Sequence, residues 1–317
     1  MTLHFESNAK EFAAPGRIAV ATDLTDTEYL LPYAIAQAKA CHASLVLVHA
    51  VLPHESAPIE AGAVPYYDPL RMDRDARLML ETLGREVRGQ GIECSTAVRH
   101  GFVPDVVAEV VRNTGVGRLI LGTHGRRGLR KLVLGSVARQ LLETVDVPVC
   151  TIGPRAHKAT ANPPAVLLHP VSLAGSHEAS AALSFELAHQ FGARLVLLHL
   201  IGSGAGNSRD PIRSVAIATE QLNRLVPREA QASTEIDVRV AQGTMVSEIL
   251  SAADRTVADL IVLGVHAPAH SWLPGTEPAA YRILVSAPCP VLSLNVTPEP
   301  SAHKSEVKEE ASPVIFG

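Results

Sequence analysis

The chain repeats itself, and no other feature limits its possible folds as much. Ser44-Leu-Val-Leu-Val-His-Ala-Val51 returns as Arg194-Leu-Val-Leu-Leu-His-Leu-Ile201. Arg118-Leu-Ile-Leu-Gly122 returns inside Asp259-Leu-Ile-Val-Leu-Gly264, and Val147-Pro-Val-Cys-Thr-Ile152 as Cys289-Pro-Val-Leu-Ser-Leu294. Three segments recurring in one order, at a spacing of roughly 150 residues, are the mark of a duplicated unit. The 317 residues then divide into two homologous domains, each of ordinary domain size and able to bury its own core.

Within the first half, short apolar runs alternate with longer segments of helical period. The runs cover residues 17–21, 44–50, 94–98, 118–121 and 147–152. Runs this short, rich in Val, Ile and Leu, predict strands buried on both faces, as in a parallel sheet. Helices are expected over 26–41, 68–90, 104–114 and 136–145. Asp26 and Asp68 are candidate caps, Pro69 suits a first turn, and Pro104-Asp105 puts an acid in one. Such alternation argues for a doubly wound α/β domain with right-handed crossovers. The expected organisation is an N-terminal extension (1–15), a first domain (16–153), a Pro-containing linker (154–164), a second domain (165–297) and a disordered tail (298–317) rich in Pro, Ser, Glu and Lys. The stretches 53–69 and 202–210 read as long loops.

Several function classes fall away. A net charge of −4 argues against a general nucleic-acid binder, which needs a broad basic surface. The longest apolar runs, such as 194–201, are far short of the roughly 20 residues that cross a bilayer. Residues 1–15 contain Glu6, Lys10 and Glu11 and no apolar h-region, so they do not read as a signal peptide. The four cysteines, Cys41, Cys94, Cys150 and Cys289, show no CxxC spacing and read as reduced, half-buried residues of a cytoplasmic protein.

Open α/β sheets bind ligands at the carboxyl ends of strands, where the strand order reverses. Two strand ends carry suggestive residues: Ala21-Thr22-Asp23-Leu24 after the first, and Gly122-Thr123-His124-Gly125 after the fourth. The second leads through Arg126, Arg127, Arg130 and Lys131 to Gly135-Ser136, which opens a helix. Glycines let the backbone approach an anion, a helix N-terminus offers free N–H groups, and the basic run attracts a polyanion. Ser136 can donate to a phosphate or cap the helix. Neither GxxxxGK[ST] nor GxGxxG is present; on spacing alone the stretch is equally a turn followed by a solvated basic loop.

The pattern Gly122-x2-Gly125-x9-Gly135-Ser136 resembles the ATP-binding signature of the universal stress protein family. Ala21-Thr22-Asp23, the Leu-Val-Leu-Val-His-Ala of the second strand and the closing Val-Pro-Val strand extend the likeness across the first half. The resemblance implies two tandem Rossmann-like domains of the adenine nucleotide alpha hydrolase-like type, each a five-stranded parallel sheet flanked by helices. It also implies an ATP site built from Ala21, Thr22, Asp23, Leu24, Ala50, Leu121, Gly122, Thr123, His124, Gly125, Arg126, Gly135, Ser136 and Val137. Asp23, with the backbone of Ala21 and Thr22, would meet adenine or ribose, and Ala50 would line the adenine pocket. Gly122 and Gly125 would cradle the phosphates, and residues 135–137 would hold their far end. His124 is assigned to loop structure or phosphate contact rather than proton transfer. Ala21 stands where the family often has proline, a departure that should not abolish binding. Whether Mg²⁺ or Mn²⁺ accompanies the triphosphate is left open.

The second half departs from that signature. Its loop reads Gly264-Val265-His266-Ala267, the basic run is gone, prolines stand at 268, 274 and 278, and Ser172 occupies the place of Asp23. A degenerate site on a persisting fold is expected. His266 and His270 could be metal ligands, but Pro268 spoils a regular helix between them, so no metal site is assigned. His49 and His199 recur near second-strand ends and read as structural or pocket-edge residues. The expected protein is a cytoplasmic ATP-binding stress or regulatory protein in which ATP orders residues 126–134 and changes a surface read by an unidentified regulatory partner. Two alternatives remain: a slow ATPase or nucleotide-transferring enzyme, and a nucleotide-free dimerisation scaffold. The apolar terminal strands at 147–152 and 289–294 should pair within the chain as a pseudo-dimer, with a further homodimer left open.

Overall fold

The structure, a computed structural model, describes residues 2–52, 69–123, 134–157, 162–173, 178–202, 211–265 and 278–295. The first half runs α1 (Thr2–Ala13), β1 (Arg17–Ala21), α2 (Thr27–Cys41), β2 (Ser44–Val51), α3 (Pro69–Gly89), β3 (Cys94–His100), α4 (Val103–Asn113), β4 (Arg118–Gly122), α5 (Ser136–Thr144) and β5 (Val149–Ile152). The second runs β6 (Val166–Val171), α6 (Glu178–Phe191), β7 (Arg194–Gly202), α7 (Pro211–Leu225), α8 (Arg228–Ser233), β8 (Ile236–Gly243), α9 (Met245–Thr256), β9 (Leu260–Val265), α10 (Ala279–Ser286) and β10 (Val291–Asn295).

Among the described residues, ten strands form one sheet in the order β3-β2-β1-β4-β5-β10-β9-β6-β7-β8. Pairing is parallel within each half, and β5 meets β10 antiparallel, with Leu292 opposite Cys150. The expected pairing of terminal strands is therefore present, and the two domains share a single sheet. Side chains alternate along each strand with a period of two. Ile18, Val20, Leu45 and Leu47 enter one core with residues of α2, α3 and α6, whereas Ala19, Val46 and Val48 enter a second with residues of α4, α5, α9 and α10. Burial on both faces explains why the strands read as continuous apolar runs.

Helix α1 lies within the expected N-terminal extension. α1 packs on α6 of the second domain, and Ala9 and Ala13 are buried. Its C-terminal carbonyls, Phe12 O and Ala13 O, accept from Arg118 Nη2 at 2.6 and 3.1 Å, while Arg118 Nη1 donates to Gln37 Oε1 at 2.9 Å. A cation at a helix C-terminus complements the dipole there. The guanidinium is completely buried, and desolvation lowers its pKa. The cysteines are fully buried rather than half-buried, all four as free thiols. Burial pushes the Cys94 and Cys150 thiols up to about 11, which keeps them protonated and unreactive. Asp68, the long loop at 53–68, most of 202–210, His266, His270 and the tail lie outside the described residues.

Candidate functional site

Strand order in the first half reverses between β1 and β4, so the crossovers from these two neighbours leave in opposite directions. Their carboxyl ends are level, with Ala21 opposite both Leu121 of β4 and Val48 of β2. A crevice at this point follows from the topology, and Ala21–Leu24 and Leu121–Thr123 flank it. Ala21, Ala50 and Val137 are half-buried and all pack against the core on the α4–α5 side of the sheet. These three share one face.

The β1–α2 turn is tightly held. Thr22 N–H continues the ladder to Val48 O at 3.0 Å. The Thr22 hydroxyl donates to Asp26 Oδ1 at 2.5 Å and accepts from Leu24 N at 2.9 Å. Leu24 sits at φ 71°, a left-handed backbone that a branched side chain adopts only when its surroundings enforce it. Here a hydroxyl on its N–H and burial of its side chain supply that enforcement. Asp23 Oδ1 accepts from Thr25 N at 2.8 Å and from its hydroxyl at 2.5 Å, an Asx turn. His49 Nδ1 lies 2.9 Å from Thr22 O; the carbonyl can only accept, so this nitrogen carries the proton. His199 makes the same bond to Val171 O at 2.9 Å. The recurrence in both halves supports the structural reading of these histidines.

Asp26 departs from its expected part. Its backbone carbonyl receives Tyr29 N and Leu30 N, but its carboxylate makes no cap bond. That carboxylate turns back to accept from the Thr22 hydroxyl. Burial raises its pKa to about 6, the Thr22 bond opposes the rise, and the Asp23 charge adds to it. An Asp four residues after a strand-end Thr signals this contact no better than it signals an N-cap, so the sequence reading missed it.

Across the crevice, Thr123 is buried, and its N–H donates to Ile152 O at 3.1 Å. Thr123 O then accepts from Gly135 N at 3.0 Å, which ties the start of α5 to the end of β4. A Cβ at Gly135 would lie 3.1 Å from that same oxygen, so glycine is what permits the approach. Gly135 is the N-cap and, as a glycine, brings no side-chain cap to the first N–H groups of α5. Ser136 is the first helical residue and exposed, not the cap. The described site residues Ala21, Thr22, Asp23, Leu24, Ala50, Leu121, Gly122, Thr123, Gly135, Ser136 and Val137 thus come from one end of the sheet. His124, Gly125, Arg126 and the remaining basic run lie outside the described residues. Among those described, no group of three or more His, Cys, Asp or Glu is arranged to hold a metal, and no helix is long and apolar enough to cross a membrane.

Comparison with known proteins bears on this arrangement. The sequence profile of the universal stress protein family matches residues 15–152 and again 168–294. A universal stress protein of Methanocaldococcus jannaschii is 22% identical over 82 residues, which cover 26% of this chain and about half, 51%, of that protein. Among solved structures, a universal stress protein from Archaeoglobus fulgidus is 17% identical and aligns over 88% of this chain and 98% of its own, with a TM-score of 0.66. That likeness extends the shared fold over both halves. A universal stress protein from the same organism, solved in complex with dAMP, is 19% identical and covers 44% of this chain and 98% of its own, with a TM-score of 0.34.

Proposed function

This chain belongs to the universal stress protein family, and from that membership we propose that it is a cytoplasmic stress-response or regulatory protein holding one ATP in its first domain. The observation that carries the reading is the bond from Gly135 N to Thr123 O. It brings the N-terminus of α5 to the strand pair at which the topology opens its crevice, and does so with backbone alone. A phosphate chain fits such a floor, since N–H groups and the helix dipole favour anions. Asp23, fixed through Oδ1 by Thr25, offers its other oxygen to ribose hydroxyls or the adenine amine. Ala21, Ala50 and Val137 supply an apolar wall for the base, and His124, Gly125 and Arg126 are assigned to phosphate contact. A divalent ion, Mg²⁺ or Mn²⁺, would arrive on the triphosphate and neutralise part of its charge.

The second domain lacks the matching groups. Ser172 replaces Asp23, Ala267 replaces Gly125, and prolines interrupt the loop. We assign it a structural part. Binding rather than rapid turnover is the activity assigned to the first domain, with ATP occupancy changing a surface that a regulatory protein reads.

Isothermal titration tests this directly. Wild type should bind ATP more tightly than millimolar, and Gly122→Val should abolish binding by placing a side chain on the phosphate floor. No affinity below millimolar, or a Gly122→Val variant equal to wild type, would refute the reading. Steady ADP release that vanishes in Asp23→Ala would favour the enzyme alternative instead.

A further inference from the structure

Three contacts that cross the seam between the domains converge on one helix, α5. Asn295, the last residue of β10, donates from Nδ2 to Leu142 O at 2.7 Å, with Val145 O at 3.5 Å. Leu142 O is among the last four carbonyls of α5, which the helix itself leaves without a donor. Tyr281 of α10 donates its hydroxyl to Glu143 Oε1 at 2.9 Å. The Arg139 guanidinium lies over the Tyr281 ring, 5.4 Å from its centroid, within cation–π range. The opposite end of this nine-residue helix is Gly135-Ser136, roughly 13 Å away at 1.5 Å per residue.

The repeat makes these contacts asymmetric in an informative way. Matching 147–152 to 289–294 makes Gly153 the counterpart of Asn295, Leu284 that of Leu142, and Arg139 that of Tyr281. Gly153 does stand against Leu284 O, so close that a Cβ there would be 2.9 Å from it, but glycine has no side-chain amide to give. A donor from across the seam therefore reaches Leu142 O on α5, while the counterpart carbonyl on α10 faces a bare glycine. The helix with the donor belongs to the domain that carries the ATP-type residues.

We propose that the second domain is the buttress of the first domain's nucleotide site, with Asn295 and Tyr281 as positioning residues that hold α5 so that its N-terminal N–H groups meet the phosphates in a fixed place. The inference rests on the nucleotide reading above. Its physical basis is the shared helix. A donor on the C-terminal carbonyls and an anion at the N-terminus act on one dipole, and each favours the same helix position. Coupling is reciprocal, so nucleotide must tighten the seam as much as the seam tightens nucleotide.

The test uses the full chain and MgATP, with calorimetry on wild type, Asn295→Leu, Asn295→Lys and Tyr281→Phe. Asn295 is exposed, so its variants should keep the fold, checked by circular dichroism and melting. One hydrogen bond of about 1 kcal/mol corresponds to about a fivefold loss of affinity, expected for Asn295→Leu and for Tyr281→Phe. Asn295→Lys should restore affinity, because an ammonium also donates to C-terminal carbonyls. Hydrogen exchange across residues 291–295 should slow on adding ATP in wild type and not in Asn295→Leu. Wild-type affinity in both Asn295→Leu and Tyr281→Phe, with no ATP effect on that exchange, overturns the buttress while leaving the site standing. A wild type that binds no ATP overturns both.

Discussion

Replacing Asp26 by Asn should stabilise the protein at neutral pH and leave it unchanged in acid. The carboxyl titrates near 6 in the folded chain against an ordinary 3.8, chiefly because burial disfavours its charge, with Asp23 adding to the rise and the Thr22 hydroxyl opposing it. A gap of about two units at 1.36 kcal/mol each is about 3 kcal/mol. Since the folded value lies above the unfolded one, the protonated acid favours the fold. Its stabilisation is complete below about pH 3.8 and is lost as pH rises through about 6. Above that point the ionised group costs the folded domain up to about 3 kcal/mol, a ceiling because part of its hydration remains. Asn keeps an oxygen for the Thr22 hydroxyl, 2.5 Å away, and does not titrate. Calorimetric melting from pH 4 to 8 should show coincident curves at the acid end. At pH 7.5 the variant should melt higher by up to about 6 to 12 °C, at 2–4 °C per kcal/mol. Parallel melting curves across the whole range would show that burial of Asp26 carries no such penalty, and the reasoning would fall.

Two further substitutions follow from particular residues. Val257 ends α9 at φ 51° while 70% exposed, so Val257→Gly relieves a β-branched side chain from left-handed backbone at little packing loss. A gain of about 1 kcal/mol in urea denaturation is expected, and a loss would refute the strain. Arg118→Ala strands two α1 carbonyls and Gln37 around a cavity. It should cost about 3 to 5 kcal/mol and make residues 2–13 susceptible to limited proteolysis; a cost below about 1 kcal/mol, with α1 still protected, would contradict the buried network.

Strand β1 was legible to the residue, because a buried parallel strand is a bare apolar run. β5 starts at Val149 rather than 147, since Pro148 offers only a carbonyl, taken by Leu119 N, and no N–H for the ladder. β3 outlasts its apolar stretch through Arg99 and His100, because an edge strand tolerates polar ends. α1 was not legible. Its contribution is a few buried positions such as Ala9 and Ala13 and a pair of carbonyls that meet Arg118, a residue more than 100 positions away at the start of the fourth apolar run. Glycines and a strand-end acid mark the carboxyl ends of β1 and β4 in the sequence, and the fold sets those ends side by side. Two contacts were not legible: the turn of Asp26 towards Thr22, and the Asn295 amide that reaches Leu142 O across the seam. The first is a local alternative to capping that the four-residue spacing leaves undecided, and the second depends on a neighbour 153 positions away.

The antiparallel junction of β5 with β10 has a consequence for the order of assembly. The pairings of β1 with β2, β1 with β4 and β2 with β3 lie within the first 122 residues, and β5 joins β4 by residue 152. One edge of β5 is met only by residues 291–293. During synthesis from the N-terminus, the first domain therefore emerges with an apolar edge exposed until almost the whole second domain has followed. An open edge of this kind invites pairing with another nascent copy. The seam is the last part of the sheet to close, so the speed with which the second domain folds decides whether β5 is met by its own chain or by a neighbour's.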